Sequence, residues 1–364
     1  MKTMLSALTL ITAAAAGSAD AAPVFNFQFI PGTSAEAQQG FLAAAARWSS
    51  LLDDDVTINM TVGFNPLDPG ILGQAQSARQ LYSYSTVRDA LAADAKSAYD
   101  ATAVAHLPTG GSFGMLLNYT ANNPNGMGSP VPYVDNNGNA NNTNLRITTA
   151  SARALGLATA PQTISGCIGS CDGFIQFSSN YTFDFNPNDG IDADAFDFVG
   201  VAAHEIGHTL GFISGVDILD YNSTAPDFYN DDEFTYVTTL DMFRHSAQST
   251  ASGVIDWTAD ERDKYFSLDG GATQGPLFST GVTHGDGRQA SHWKDDLFIG
   301  LMDPTAGMGE LLQISQNDVM AMDVIGWDVS PIPEPSTAGM LAAGLMLLGG
   351  RKVRKSKLFR KSTK

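Results

Sequence analysis

Cysteine is nearly missing, with two in 364 residues. That excludes a disulfide-built scaffold and a cysteine-rich zinc module, each of which needs several sulfur ligands or pairs. Cys167 and Cys171 stand four apart in SGCIGSCDG with no further Cys or His close by. The pair therefore reads as a small-loop disulfide of an exported chain. Positive charge is almost as scarce. Lys and Arg number 20 against 38 Asp and Glu, eight of the 20 lie after residue 350, and residues 22–330 carry a net charge of −25. A surface of that sign repels phosphate backbones and anionic lipid, so nucleic acid and anionic membranes are excluded as partners. No apolar run reaches the ~20 residues that a free-standing spanning helix wants, and there is no internal repeat.

Histidine is rare too, six in all, yet His204 and His208 fall four apart in VGVAAHEIGHTLGF, Val199 to Phe212. On an α-helix that spacing puts both imidazoles on one face, about 5.4 Å apart along the axis. Two imidazoles so placed can grip one metal ion. Glu205 points around the helix from them, toward the place of a water, and is positioned as a base rather than a ligand. Zinc suits the arrangement, since it takes neutral imidazole nitrogens at about 2.0–2.1 Å and is catalytic when three protein ligands leave one position open. The apolar residues ahead of the motif, Val199, Val201, Ala202 and Ala203, mark the helix as buried.

The rest of the chain reads as strands and helices first and mostly helix and loop later, an α+β pattern with the metal between two lobes, about 22–212 and 213–330. Phe25, Phe27 and Phe29 alternate with polar residues as a first strand, and Val56 to Phe64 alternates as a second. Between them, Thr33 with Glu36 is expected to cap a helix reaching Leu52. Ser85 to His106 reads as one helix opened by Thr86 and Asp89. Residues 118–144, rich in Asn, Gly and Pro, read as a long loop. Leu145 to Thr148 is a short strand, and Thr149 to Leu155 a short helix closed by Gly156. Phe174 to Ser179 has strand composition and lies ahead of the metal helix, so we expect it at a sheet edge where an extended peptide can pair. Asp184, Asn186, Asn188, Asp189 and Asp192 offer oxygen ligands that calcium can take. Their spacing departs from the EF-hand loop, with Gly190 one place late and Ala195 at position twelve, and a solvated turn is the first expectation. Ser315 and Asp318 cap a final helix ended by Gly326.

Residues 1–21 have the form of a secretory signal: Lys2, the apolar run Leu5 to Ala16, then Ala19-Asp20-Ala21. At the other end, residues 331–364 join Pro333-Glu334-Pro335-Ser336 to an apolar segment, 338–350, and a basic tail, 351–364. This tripartite tail resembles the PEP-CTERM sorting signal of Gram-negative bacteria. The resemblance implies processing by an exosortase-type enzyme after signal peptidase, transient membrane anchoring by the tail, and a final place at the cell surface, in the outer envelope or outside the cell.

HEIGHTLG resembles the metzincin zinc proteases, whose pattern HExxHxxGxxH uses a Gly to turn the chain toward a third His. Gly211 matches that Gly, but Ser214 stands where the third His would be, and a hydroxyl is a poor zinc ligand. Asp217, His245, His284 and His292 are the candidates that remain. The leishmanolysin type displaces its third His by an insertion into a His-Trp pair shortly before the Met-turn. His292 in SHW and Met302 in GLMDP are similar to that arrangement. The resemblance covers roughly Phe174 to Trp327 and implies a zincin-like fold, one zinc on His204, His208 and His292, Glu205 as general base, and a protein or peptide substrate. Leishmanolysins are richer in cysteine and use an inhibitory Cys; no Cys precedes residue 167 here, so latency by a cysteine switch is not expected. The rival reading is a surface or matrix protein that keeps the zinc for structure, against which the intact Glu205 argues.

On this reading the exported protein starts near Ala22, which N-terminal sequencing of secreted material checks. A mature chain that retains Met1 removes the export assignment.

Overall fold

Alternating phenylalanines need a layer to cover one face of their strand, and the fold supplies it with a helix-backed sheet. The computed structural model describes residues 22–329; the proposed signal (1–21) and the sorting tail lie outside the described residues. Strand β1 (Val24–Phe29) turns at Pro31 and Gly32 into helix α1 (Ala35–Ser49), which leads to β2 (Thr57–Asn65) and β3 (Gly73–Ser77). Strand β4 (Gly173–Ser178) precedes α2 (Phe198–Leu210), and α3 (Gln316–Val324) closes the described chain. The main sheet runs β1-β2-β4-β3, with β1, β2 and β4 parallel and β3 antiparallel.

Period-two burial in β2 puts Ile58, Met60 and Val62 into the core at 0–1% exposure. Against this face lie α1 and α2, which are locked to each other by aromatic edges. Phe41 meets Phe198 and Phe177 edge-on with ring centroids 5.1 and 5.4 Å apart, an arrangement that adds to simple area burial. Trp48 Nε1 donates to the Ala203 carbonyl at 2.8 Å, so α1 grips α2 one residue before His204.

Several local expectations shift. Ser34, not Thr33, caps α1: its Oγ accepts from the Ala37 amide, while Thr33 donates to Ile30 O and finishes the turn. The helix expected over 85–106 is two, Tyr84–Asp94 capped by Ser83 and Ala98–His106 capped by Ser97. The break is a complete capping box, Ser97 Oγ accepting from Asp100 N while Asp100 accepts from Ser97 N, and such a box starts a helix afresh. The long loop 118–144 contains the strand Tyr133–Asp135 and the helical turn Ala140–Thr143. That strand pairs with Met115–Leu117, which in turn pairs with Ile255–Asp256 from far beyond the metal helix. This small sheet thus joins chain from both sides of residue 212.

The edge assignment is also corrected. β4, expected at the sheet edge, is interior, flanked by β2 and β3, and β3 is the edge strand on that side. Ser315 and Asp318 do form their capping box at α3, and Cys167 is bonded to Cys171. No helix among the described residues is long and apolar enough to cross a membrane.

The chain end returns to the first layer: Asp53 N donates to Asp328 O, and Asp328 N to Asp54 Oδ2. Lys96 pairs with Asp328 there, yet carboxylates outnumber cations along this seam. Burial and the Asp328 charge push the Asp54 carboxyl up to about 8, and burial and like charges raise Asp323 to about 7 and Asp94 to about 6. A folded-state pKa above the unfolded one costs stability once the unfolded carboxyl ionises, so stability declines as pH rises from about 4 to 8. Asp54→Asn keeps the acceptor for Asp328 N without the charge. It should raise the melting temperature at pH 8 by about 2–4 °C and leave it unchanged near pH 4, as calorimetry at both pH values checks.

Candidate metal centre

Helix α2 begins where Asp197 accepts from Gly200 N at 2.8 Å and, through its other oxygen, from Leu312 N at 3.1 Å. The N-cap thus ties the helix to the segment before α3. The helix stops at Gly211, whose φ of 124° lies in the region glycine favours. An added Cβ would also come within 3.1 Å of Ile325 and 3.3 Å of Ser151. The turn carries the Phe212 carbonyl back over the last coil, where it accepts from His208 Nδ1 at 2.7 Å.

His204, His208 and His292 converge. Their Nε2 atoms are 3.1, 3.2 and 3.2 Å from one another. Each Nδ1 faces a backbone carbonyl: His204 to Leu301 at 2.8 Å, His208 to Phe212 at 2.7 Å and His292 to Gln289 at 3.2 Å. A carbonyl accepts only, so every Nδ1 carries the hydrogen and every Nε2 presents a lone pair. Three nitrogens 2.0–2.1 Å from one tetrahedral ion stand about 3.3 Å apart, and the observed triangle fits that closely. Burial holds all three imidazoles below their usual pKa. His208 falls to about 3, with the neighbouring His204 adding to the effect, and His292 falls well below the ordinary value beside His208 and His204. They are therefore neutral, as ligands must be. Among the described residues this is the one group of three or more His, Cys, Asp or Glu with ligand atoms close enough to share an ion.

The other third-ligand candidates have different work. Asp217 accepts from Ala290 N at 2.6 Å and from the Ser291 hydroxyl, which holds the chain just before His292. Burial raises its carboxyl to about 6. Ser214 N donates to Ser291 Oγ at 2.8 Å, and the Ser214 hydroxyl donates to Asp241 at 2.6 Å. His284 stacks on Tyr119 with centroids 3.9 Å apart and faces the Ser223 carbonyl. His245 is buried in a short strand, Arg244–His245, paired to Lys264–Phe266. The Asp184–Asp192 turn is exposed and closes on itself, Asp184 accepting from the amides of Asn186 and Asp192.

Sequence reading missed the residue that joins the pieces. Asp318, fully buried, accepts from Trp293 Nε1 at 2.8 Å, Leu301 N at 2.7 Å, Met302 N at 3.2 Å and Ser315 N at 2.7 Å. Trp293 follows His292, and Leu301 supplies the carbonyl that orients His204. One carboxylate therefore sets two of the three imidazoles. The signal available was the capping box, which explains one of its four bonds. Met302 is buried, its amide on Asp318 and its carbonyl accepting from Trp293 N at 2.9 Å. An added Cβ on Gly207 would meet its sulfur at 2.6 Å, so the thioether packs on α2 between the two His turns.

Glu205 lines a cleft of about 850 Å³ with the three His and the β3 residues Gly73, Gln74 and Gln76. Its carboxylate has no hydrogen bond to another described residue, and burial pushes it up to about 8. Gly73 is a second missed residue. A Cβ there would stand 3.0 Å from Glu205 Oε1 and 3.2 Å from Val201, so the edge strand passes directly over the candidate base. No protein-family model matches the chain, and no curated protein or solved structure does either.

Replacing Asp318 by Asn sets an NH2 group against two buried donors. Orienting partners of this kind typically account for 10–100-fold in metal affinity. Asp318→Asn should weaken zinc binding by about that factor, read by competition with a chromophoric chelator; unchanged affinity would show that Asp318 orients nothing that matters to the ion.

Proposed function

We propose that this chain is a zinc-dependent endopeptidase of the metzincin type, with a zincin-like fold, resembling leishmanolysins in the placement of its third His. The observation that carries the reading is the triangle of three Nε2 lone pairs opening into a cleft that Glu205 and an unpaired strand edge also line. A purely structural zinc site closes with a fourth ligand; here the residue beside the triangle is a carboxylate with no partner.

His204, His208 and His292 would hold the ion, and Met302 forms the apolar floor against Gly207. When bound, zinc supplies Lewis acidity to the scissile carbonyl and acidifies water. The edge of β3 offers alternate backbone N–H and C=O groups to an extended peptide, the mode by which sheet edges hold substrates. Glu205 takes a proton from the water as its oxygen attacks the carbonyl carbon. It then gives that proton to the departing nitrogen as the C–N bond breaks, leaving a carboxylic acid and an amine. One carboxylate within reach of both the water and the departing nitrogen can carry the proton between the two events. Gly73 leaves room for substrate beside that carboxylate.

Purified protein should bind one zinc and hydrolyse casein, and a chelator should abolish the activity until zinc is returned. Glu205→Gln should lower kcat by about 10²–10⁴-fold with zinc content unchanged, and His292→Ala should lose the zinc. Undiminished hydrolysis by the Glu205 variant would sink the mechanism, and full zinc occupancy without any hydrolysis by the unmodified chain would favour a structural metal protein.

A further inference from the structure

Away from the His triangle, the strand Tyr133–Asp135 and the turn Asp231–Glu233 bring two buried carboxylates together. Asp135 is 3% and Asp231 5% exposed, and the charge of Asp231 adds to burial in raising the Asp135 pKa. Neither forms an ion pair among the described residues. Their partners are neutral. Asn141 Nδ2 donates to Asp135 Oδ2 at 2.8 Å and Asn142 Nδ2 to the same oxygen at 3.4 Å. Asp231 accepts from Asp232 N at 2.7 Å, from Asn139 Nδ2 at 3.4 Å and from Tyr133 Oη at 3.4 Å. The Asn137 amide adds a backbone bond to Asp135. Two buried carboxylates with only neutral donors between them are costly to fold.

A second observation points to what offsets them. Asn141 is wholly buried, and its Oδ1 has no hydrogen-bond partner among the described residues; the buried Oδ1 of Asn139 has none there either. Buried amide oxygens are almost always satisfied. These amide oxygens and the two carboxylates that their NH2 groups reach offer oxygen donors alone, without the nitrogen or sulfur that softer metals select.

We infer that Asp135, Asn139, Asn141 and Asp231 form a binding site for a hard divalent cation, calcium. The Asp184–Asp192 turn lacks these features: Asn186, Asn188, Asp189 and Asp192 are exposed, and no buried side-chain oxygen in it is left without a partner among the described residues. The bound ion fastens chain before the metal helix to chain after it, and the inference stands independently of the peptidase reading.

The test uses the full chain freed of calcium by dialysis and resupplied with zinc. Calcium at about 5 mM, above the 0.1–1 mM range of extracellular oxygen sites, should raise the melting temperature by about 3–6 °C, and magnesium by less. Terbium should show emission sensitised by Tyr133. Asp135→Asn and Asp231→Asn should lose the calcium shift while melting no lower than the unmodified chain without calcium, because the repulsion is gone. Asn141→Ala should lose the shift as well. Absence of both the shift and the terbium emission in the unmodified chain overturns the inference, as does a shift that survives in both Asp variants.

Discussion

A single buried carboxylate holds together two stretches that sequence order keeps far apart. Asp318 takes four donors from three places: the indole after His292, the two amides of the 301–302 turn, and the amide at the start of its own helix. A carboxylate can accept about four hydrogen bonds, and this one uses three of them on residues that aim the triad and the fourth on the cap of its own helix. Substituting it therefore does more than remove a cap. It leaves several buried N–H groups without partners, each of which costs more than a hydrogen bond adds.

The main sheet explains why such precision is affordable at the triangle. Phe41 and Phe183 meet Phe198 edge to face, Phe64 stacks on it and Phe177 is tilted against it at the start of α2, and Trp48 and Trp327 donate to the carbonyls of Ala203 and Leu210. The helix is fixed along its whole length by apolar contact and by two indole bonds. Against that rigid piece the chain tolerates groups that are unfavourable without a ligand, namely three lone pairs aimed at one point and a buried carboxylate with no partner. Strain of this kind gathers where a site is preorganised. The edge strand belongs to the same design, since a Cβ on Gly73 would crowd Glu205 Oε1 at 3.0 Å and push one of the two aside.

Much of the centre was legible in the sequence. His204 and His208 are local, because a helix converts a spacing of four into one face, and Gly211 reads as a turn for the same reason. His292 and Met302 came by resemblance to a known pattern, and the structure brings both to the helix. Asp318 was visible only as half of a capping box, and Gly73 not at all, since its function is the absence of a side chain near an atom 132 positions away. The β4 edge assignment erred because composition describes a strand's two faces, whereas edge or interior is decided by which strands pair with it, and β3 carries too few apolar residues to announce itself. The single helix over 85–106 failed on Ser97 and Asp100, whose reciprocal bonds outweighed a continuous helical pattern.

By itself the sequence determined what depends on near neighbours: helix α2, the two imidazoles on one of its faces, the alternation of β1 and β2, and the caps of α3. Only the tertiary structure decided which distant imidazole completes the triangle, which strand borders the cleft, and where oxygen-bearing side chains collect away from it. The physical reason is range. Helix pitch and strand pleat act over a few residues and leave a periodic trace, whereas a hydrogen bond between Asp318 and Trp293, or a void above Glu205, exists only after chain closure and leaves no period to read.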